Sequence, residues 1–200
     1  VRKGGIIAIG IEPGDALIDV KLTSGNDQVV LITAEGMSIR FAEENVRSMG
    51  RPAAGVRGIQ LEKSDAVVSL AVVAKDATLL VVGENGIGKR TPFDMTLPDG
   101  TVEPVYRLQS RGGKGIITMK TTDKTGRVVG ALPVRETDEI MIITAGGQMV
   151  RTFVKDIREA GRNTQGVKVI GLAEGDKLVA IAPVISEQQE DAAVQEPPAS

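Results

Sequence analysis

Glu35-Gly36-Met37-Ser38-Ile39-Arg40-Phe41 returns as Asn85-Gly86-Ile87-Gly88-Lys89-Arg90-Thr91 and again as Gly146-Gly147-Gln148-Met149-Val150-Arg151-Thr152. In each copy a turn glycine is followed four residues later by arginine, and a phenylalanine (Phe41, Phe93 or Phe153) closes the segment. Each copy follows a short Val/Ile-rich run bounded by turn residues, the pattern of a β-hairpin. A second landmark follows at matching distance. Gly55 lies 15 residues beyond Arg40, and Gly166 lies 15 beyond Arg151. Gly115 lies 25 beyond Arg90, an insertion of 10 that contains the turn Leu97-Pro98-Asp99-Gly100. Two registers that agree after one insertion identify an internal repeat of 50 to 61 residues.

Outward from these hairpins the chain continues as short apolar runs, roughly 14 in all. They include Gly5–Ile9, Gln28–Thr33, Val67–Val73, Thr78–Val82, Ile116–Lys120, Glu139–Thr144, Met149–Phe153 and Lys177–Val184. Glu43–Ser48 allows at most a turn or two of helix. Four short strands per repeat predict an all-β fold of radially arranged four-stranded blades, about three and a half of them. The repeats are read as residues 1–26 (partial), 27–76, 77–137 and 138–185. Because Gly5-Ile6-Ile7-Ala8-Ile9 matches Gly115-Ile116-Ile117-Thr118-Met119, the chain opens in mid-repeat and is expected to be part of a longer polypeptide. Residues 186–200 are acidic, end in prolines and are expected to be a disordered tail.

Composition narrows the chemistry. There is no cysteine or histidine, so the usual zinc ligands and the commonest general base are missing. Four aromatic residues are too few to stack single-stranded bases. No apolar run is long enough to span a bilayer, and no signal-peptide pattern follows Val1. No membrane partner is expected, and the chain suits the cytoplasm. The formal net charge is −2, yet the tail holds four of the 26 acids, leaving 24 bases against 22 acids in the body.

Those bases are clustered. After each hairpin comes a glycine-arginine loop, with Arg47 and Arg51, Arg107 and Arg111, or Arg158 and Arg162, and with a third base at Arg57, Lys114 or Lys168. Nine of the 24 bases therefore lie in three short loops, of which only the third contains an acid, Glu159. Arginine offers a bidentate fork to phosphate, and glycine lets main-chain N–H groups approach it. Gln109-Ser110-Arg111-Gly112-Gly113-Lys114-Gly115 is the richest such segment. Contacts of this kind position a duplex without reading its bases. Arg40, Arg90 and Arg151 either join that surface or pair with strand neighbours. The phenylalanines are expected in the core, and Tyr106 is expected to pack the base of its loop. Gly83–Arg90 approximates a nucleotide-binding P-loop, but Arg90 replaces the hydroxyl residue and two strands flank it, so it reads as a hairpin.

Gln109–Gly115 resembles the Q-R-R-G-G-K-G box of the DNA gyrase A C-terminal domain, with Ser110 at its second place. Val46–Leu61 and Gly161–Val169 resemble that family's later repeats, and Lys89-Arg90-Thr91 followed by Phe93 is similar to its hairpins. The resemblance implies a six-bladed β-pinwheel whose neighbouring blades exchange strands and around which duplex DNA wraps to support negative supercoiling. It implies an A2B2 assembly with the gyrase A catalytic core and gyrase B, a nucleoid-associated location, and no catalysis or cofactor on this chain. The catalytic tyrosine, ATP and magnesium then belong elsewhere in the holoenzyme. The box is either the principal one or a second, degenerate copy. The corresponding C-terminal domain of topoisomerase IV and a propeller-type protein-interaction module are the alternatives.

Overall fold

The computed structural model describes residues 5–184. The expected acidic tail, 186–200, lies outside them. The strands are β1 (Gln28–Thr33), β2 (Met37–Ala42), β3 (Val67–Val72), β4 (Thr78–Gly83), β5 (Ile87–Pro92), β6 (Asp94–Thr96), β7 (Val102–Pro104), β8 (Ile116–Ile117), β9 (Val128–Val134), β10 (Glu139–Thr144), β11 (Met149–Phe153), β12 (Val167–Lys168) and β13 (Leu178–Pro183). The only described helical segments are single 3-10 turns at Glu43–Asn45 and Val154–Asp156. None of the described helices could cross a membrane.

The three repeats form three antiparallel sheets, with strand orders β3-β1-β2-β8, β9-β4-β5-β12 and β13-β10-β11. The fourth strand of a blade does not come from its own repeat. β8 belongs to the second repeat and pairs with β2 of the first, Met37 opposite Ile117 and Ser38 opposite Ile116. β12 belongs to the third and pairs with β5 of the second, Gly88 opposite Val167 and Ile87 opposite Lys168. The second and third repeats thus keep three strands in their own blade and lend a fourth backward, the exchange of strands that the family resemblance implies. The third blade has three described strands. Strands β3, β9 and β13 pack side by side, which places the blades around a common axis.

The middle blade shows why its sequence is so apolar. In β4, Leu79 and Val81 join Val30, Ile32 and Ala71 of the first blade in one core. Leu80 and Val82 turn the other way, onto Ile140 and Ile142 of the third. A strand buried on both faces must be hydrophobic at every position, whereas a half-buried one alternates. Tyr106 closes the first of these cores, its ring 5.9 Å from that of Phe93 and its hydroxyl 2.7 Å from Thr118 Oγ1.

Several expectations are revised. Gly5–Ile9 forms no strand. The first two hairpins are connected by three residues. Ala34-Glu35-Gly36 and Glu84-Asn85-Gly86 each end on a left-handed glycine, φ +79° and +74°. Gly83–Arg90 is indeed such a hairpin. Phe41 and Phe93 are buried, but Phe153 is 49% exposed on the open edge strand β11.

Candidate nucleic-acid interface

Each basic loop leaves its own hairpin and crosses to the preceding repeat, the first to the strandless segment before β1, and the crossing is made by the same main-chain hydrogen bond three times. Gly10 N–H donates to Ala53 O at 3.2 Å, Gln60 N–H to Gly113 O at 2.8 Å, and Lys120 N–H to Thr164 O at 3.0 Å. The loops thus occupy equivalent places around the axis. The bases of the second and third also tie to hairpins: Gln109 N–H donates to Arg40 O and Ala160 N–H to Arg90 O, both at 2.8 Å.

In these two loops the second arginine braces the junction. Arg111 donates from Nε to Asn45 O at 2.8 Å and from Nη1 to Arg57 O at 2.9 Å. Arg162 donates from Nη1 to Ile117 O at 2.9 Å, the matching carbonyl one blade on. Arg111 and Arg162 differ little in setting, both lying against a neighbouring blade, whereas Arg47, Arg51, Arg57, Arg107, Lys114, Arg158 and Lys168 are exposed. Of the nine cations, Arg111 and Arg162 are braced across a blade junction, Arg57 lies beside Gly112, and Lys168 sits on the lent strand β12.

Other candidates are placed differently. Arg40 and Arg90 are buried. Arg40 binds Gln28, Asp94 and the carbonyls of Phe93 and Tyr106, and Arg90 donates to Ile157 O at 2.7 Å. Their reading as DNA contacts is corrected: arginine in a hairpin facing the next blade closes that interface. Arg151 is exposed but paired with Glu139, Nε to Oε2 2.6 Å. Gln109 turns its Nε2 inward, where it is buried with no partner among the described residues.

The glycines also divide. At Gly115, φ is +76° and a Cβ would stand 2.2 Å from Ser38 O. At Gly166 the matching distance is 2.4 Å, to Gly88 O. These two are required by the lent strand rather than by a phosphate. Gly112 (φ +81°) and Gly113 have ordinary contact distances, and the Gly113 and Lys114 main-chain N–H groups make no hydrogen bond among the described residues.

Lys89 is a functional side chain that the loop pattern does not single out. It is fully buried and its Nζ donates to the carbonyls of Gly161 and Arg162, holding the third loop from beneath. The signal lies in the register: lysine stands where the other hairpins carry Ile39 and Val150. Burial, and then the Arg162 charge, lower its pKa to about 8 from 10.5. The folded chain therefore releases this proton at lower pH than the unfolded chain does. Its destabilising charge cost is fully present below about pH 8 and is relieved as pH rises toward 10.5. Relative to Lys89→Met, the wild-type chain should gain up to about 3 kcal/mol of urea stability across that interval. Parallel pH profiles for the two proteins would show that Lys89 is not desolvated.

A propeller whose blades lend their outer strands backward, with arginine loops at every junction, belongs to the β-pinwheel class. The chain belongs to the family described as the DNA gyrase C-terminal domain, beta-propeller, whose profile matches residues 1–24, 27–74, 77–95, 105–135 and 138–185. The DNA gyrase A protein of Salmonella typhimurium is 46% identical over 180 residues, covering 90% of this chain and 19% of that protein. The chain thus spans about a fifth of the length of such curated relatives. The solved DNA gyrase A C-terminal domain superposes with a TM-score of 0.79 at 28% identity, over 92% of this chain and 59% of that one. The topoisomerase IV C-terminal domain gives 0.80 at 25% identity, over 94% and 57%. Backbone shape does not separate the two enzymes; the high sequence identity is to gyrase A.

Proposed function

We propose that this chain is the duplex-DNA binding and wrapping part of a DNA gyrase A protein, itself non-catalytic and without a cofactor. The carrying observation is the repetition of a cation-bearing loop that docks on the preceding repeat by the same main-chain hydrogen bond three times. A series of such loops around an axis meets successive phosphates of a bent duplex, and contacts to the backbone tolerate any sequence. Arg47, Arg51, Arg57, Arg107, Arg111, Lys114, Arg158, Arg162 and Lys168 supply the charge, and Gly112 and Gly113 admit the phosphate to the main chain. In the cell the chain works with the gyrase A catalytic core and gyrase B in an A2B2 assembly on the nucleoid. ATP and magnesium are used by those other parts.

A topology assay tests this reading. A nicked plasmid is incubated with the purified protein, ligated and stripped of protein, and its linking number is compared with a protein-free control. Wrapping should shift the topoisomer distribution to one side in proportion to the protein added. An unshifted distribution at saturating protein would exclude wrapping.

A further inference from the structure

The second repeat carries an element that the other two lack. Between hairpin and basic loop, the first and third repeats make a single 3-10 turn, Glu43–Asn45 and Val154–Asp156. In the second repeat the insertion of 10 residues puts a two-stranded ribbon there instead, β6 and β7, with Asp94 opposite Pro104, Met95 opposite Glu103 and Thr96 opposite Val102. Resting on the DNA-binding reading above, we propose that this ribbon is an acidic fence. It holds duplex DNA off the rim between the second and third basic loops and weakens the grip of Arg162 on phosphate.

Charge excludes the ribbon itself as a phosphate ligand. Residues 91–106 contain Asp94, Asp99 and Glu103 and no base. Asp94 is paired with Arg40, whose Nη1 and Nη2 reach its carboxylate at 2.6 and 3.1 Å. Asp99 and Glu103 are exposed and have no cationic partner among the described residues. Asp99 stays ionised at neutral pH, because the Thr101 backbone N–H, and then its hydroxyl, hold the carboxyl below the usual range.

The ribbon stands where it can act on Arg162. Residues opposite each other on paired strands share a face, so Met95 and Glu103 look to one side. They line a cleft of about 310 Å³ with Pro104, Val105, Arg162 and Asn163. At the matching place one blade back, Asn45 O of the 3-10 turn accepts from Arg111 Nε at 2.8 Å. The ribbon gives Arg162 no such brace. Arg162 donates from Nη1 to Ile117 O at 2.9 Å and pairs with no acid among the described residues. Its remaining donors are open to a phosphate, and Glu103 lies across the cleft from them.

The fence is fixed in place. An isolated two-stranded hairpin is marginal in water. This one is tied at its root by Asp94 to Arg40 and by Tyr106 N–H to Phe93 O at 3.0 Å. Its tip is closed by Leu97 N–H to Thr101 O at 2.8 Å and Gly100 N–H to Leu97 O at 2.9 Å. A tied carboxylate cannot swing away from an approaching phosphate. A duplex passing from the second loop to the third therefore meets a negative ridge and is gripped at the loops rather than between them.

Duplex-DNA affinity of the full chain, measured against salt, tests the proposal. Asp99→Asn combined with Glu103→Gln should tighten binding about fivefold at about 20 mM salt and less than about twofold at about 0.3 M, where the repulsion is screened. Both changes keep side-chain shape, so folding is not at issue. In an Arg162→Ala background the gain from Glu103→Gln should shrink, since the two side chains act on one phosphate. A full gain there would separate Glu103 from Arg162 and overturn that part. Replacing Thr96–Val102 by Asn-Gly closes the hairpin directly between Met95 and Glu103. With a urea midpoint close to wild type, this shortened chain should protect additional nucleotides from hydroxyl radicals between those already covered. Weaker binding by the double variant would mean that the ribbon grips the duplex. Unchanged binding and footprint would place it off the DNA path, on a face for protein. Either result overturns the fence and leaves the DNA-binding reading standing. If the wild-type chain itself shows no salt-dependent affinity for duplex, that reading fails and the fence with it.

Discussion

Gly115→Ala should cost about 3 kcal/mol or more and release the strand that the second repeat lends to the first. Two costs combine. A left-handed φ of +76° disfavours alanine by about 1–2 kcal/mol. The added Cβ would also stand 2.2 Å from Ser38 O, a main-chain atom that cannot swing aside. To relieve that overlap β8 must leave β2, and Thr118 and Met119 lose their N–H contacts to Gly36 O at 2.8 and 3.2 Å. Gly55 is the control. It holds the matching place in the first repeat with φ +86°, but a Cβ there meets nothing within 4 Å. Gly55→Ala should therefore cost only the backbone term. Urea unfolding of the two variants, with amide exchange at Thr118 and Met119, separates strain from strand exchange. Equal losses for the two would mean that the lent strand contributes nothing to stability.

Arg40→Ala should cost about 3 kcal/mol while leaving the salt slope of DNA binding unchanged. The Arg40 guanidinium joins two blades. It reaches Gln28 Oε1 at 2.7 Å on its own sheet. Across the junction it meets Asp94 Oδ1 at 2.6 Å and Oδ2 at 3.1 Å, with Phe93 O at 3.2 Å and Tyr106 O at 3.1 Å. Alanine would strand two buried carbonyls and a carboxylate. Asp94 is about one-third exposed, so water screens part of that loss, and the estimate sits at the low end for a broken buried pair. Arg40→Lys should recover little, since one ammonium cannot span five acceptor contacts. A slope reduced by about one unit in Arg40→Ala under folding conditions would return this residue to the DNA surface.

Both predictions concern residues whose roles are ambiguous in sequence. Arg40, Arg90 and Arg151 hold one register position and look equivalent there. Arg40 and Arg90 face a following blade and are buried, whereas Arg151 lies on an open edge strand and pairs with Glu139. Gly112 and Gly115 likewise sit three residues apart in one motif. One admits a neighbouring arginine stem, and the other admits a neighbouring carbonyl.

The all-β class, the repeat of the hairpins, the gathering of nine cations into three loops and the family resemblance are legible in the chain alone. These features are local. Alternation, turn glycines and charge runs act over a few residues, and the repeat displays each of them several times. Only the folded chain shows which strands are lent and in what register, that Arg40, Arg90 and Lys89 are interior, and that Arg57 lies beside Gly112. Such facts depend on partners 50 or more residues away. Whether a cation becomes a buried strut or a phosphate ligand is settled by what faces it across a blade junction, and no periodicity in the chain encodes that face.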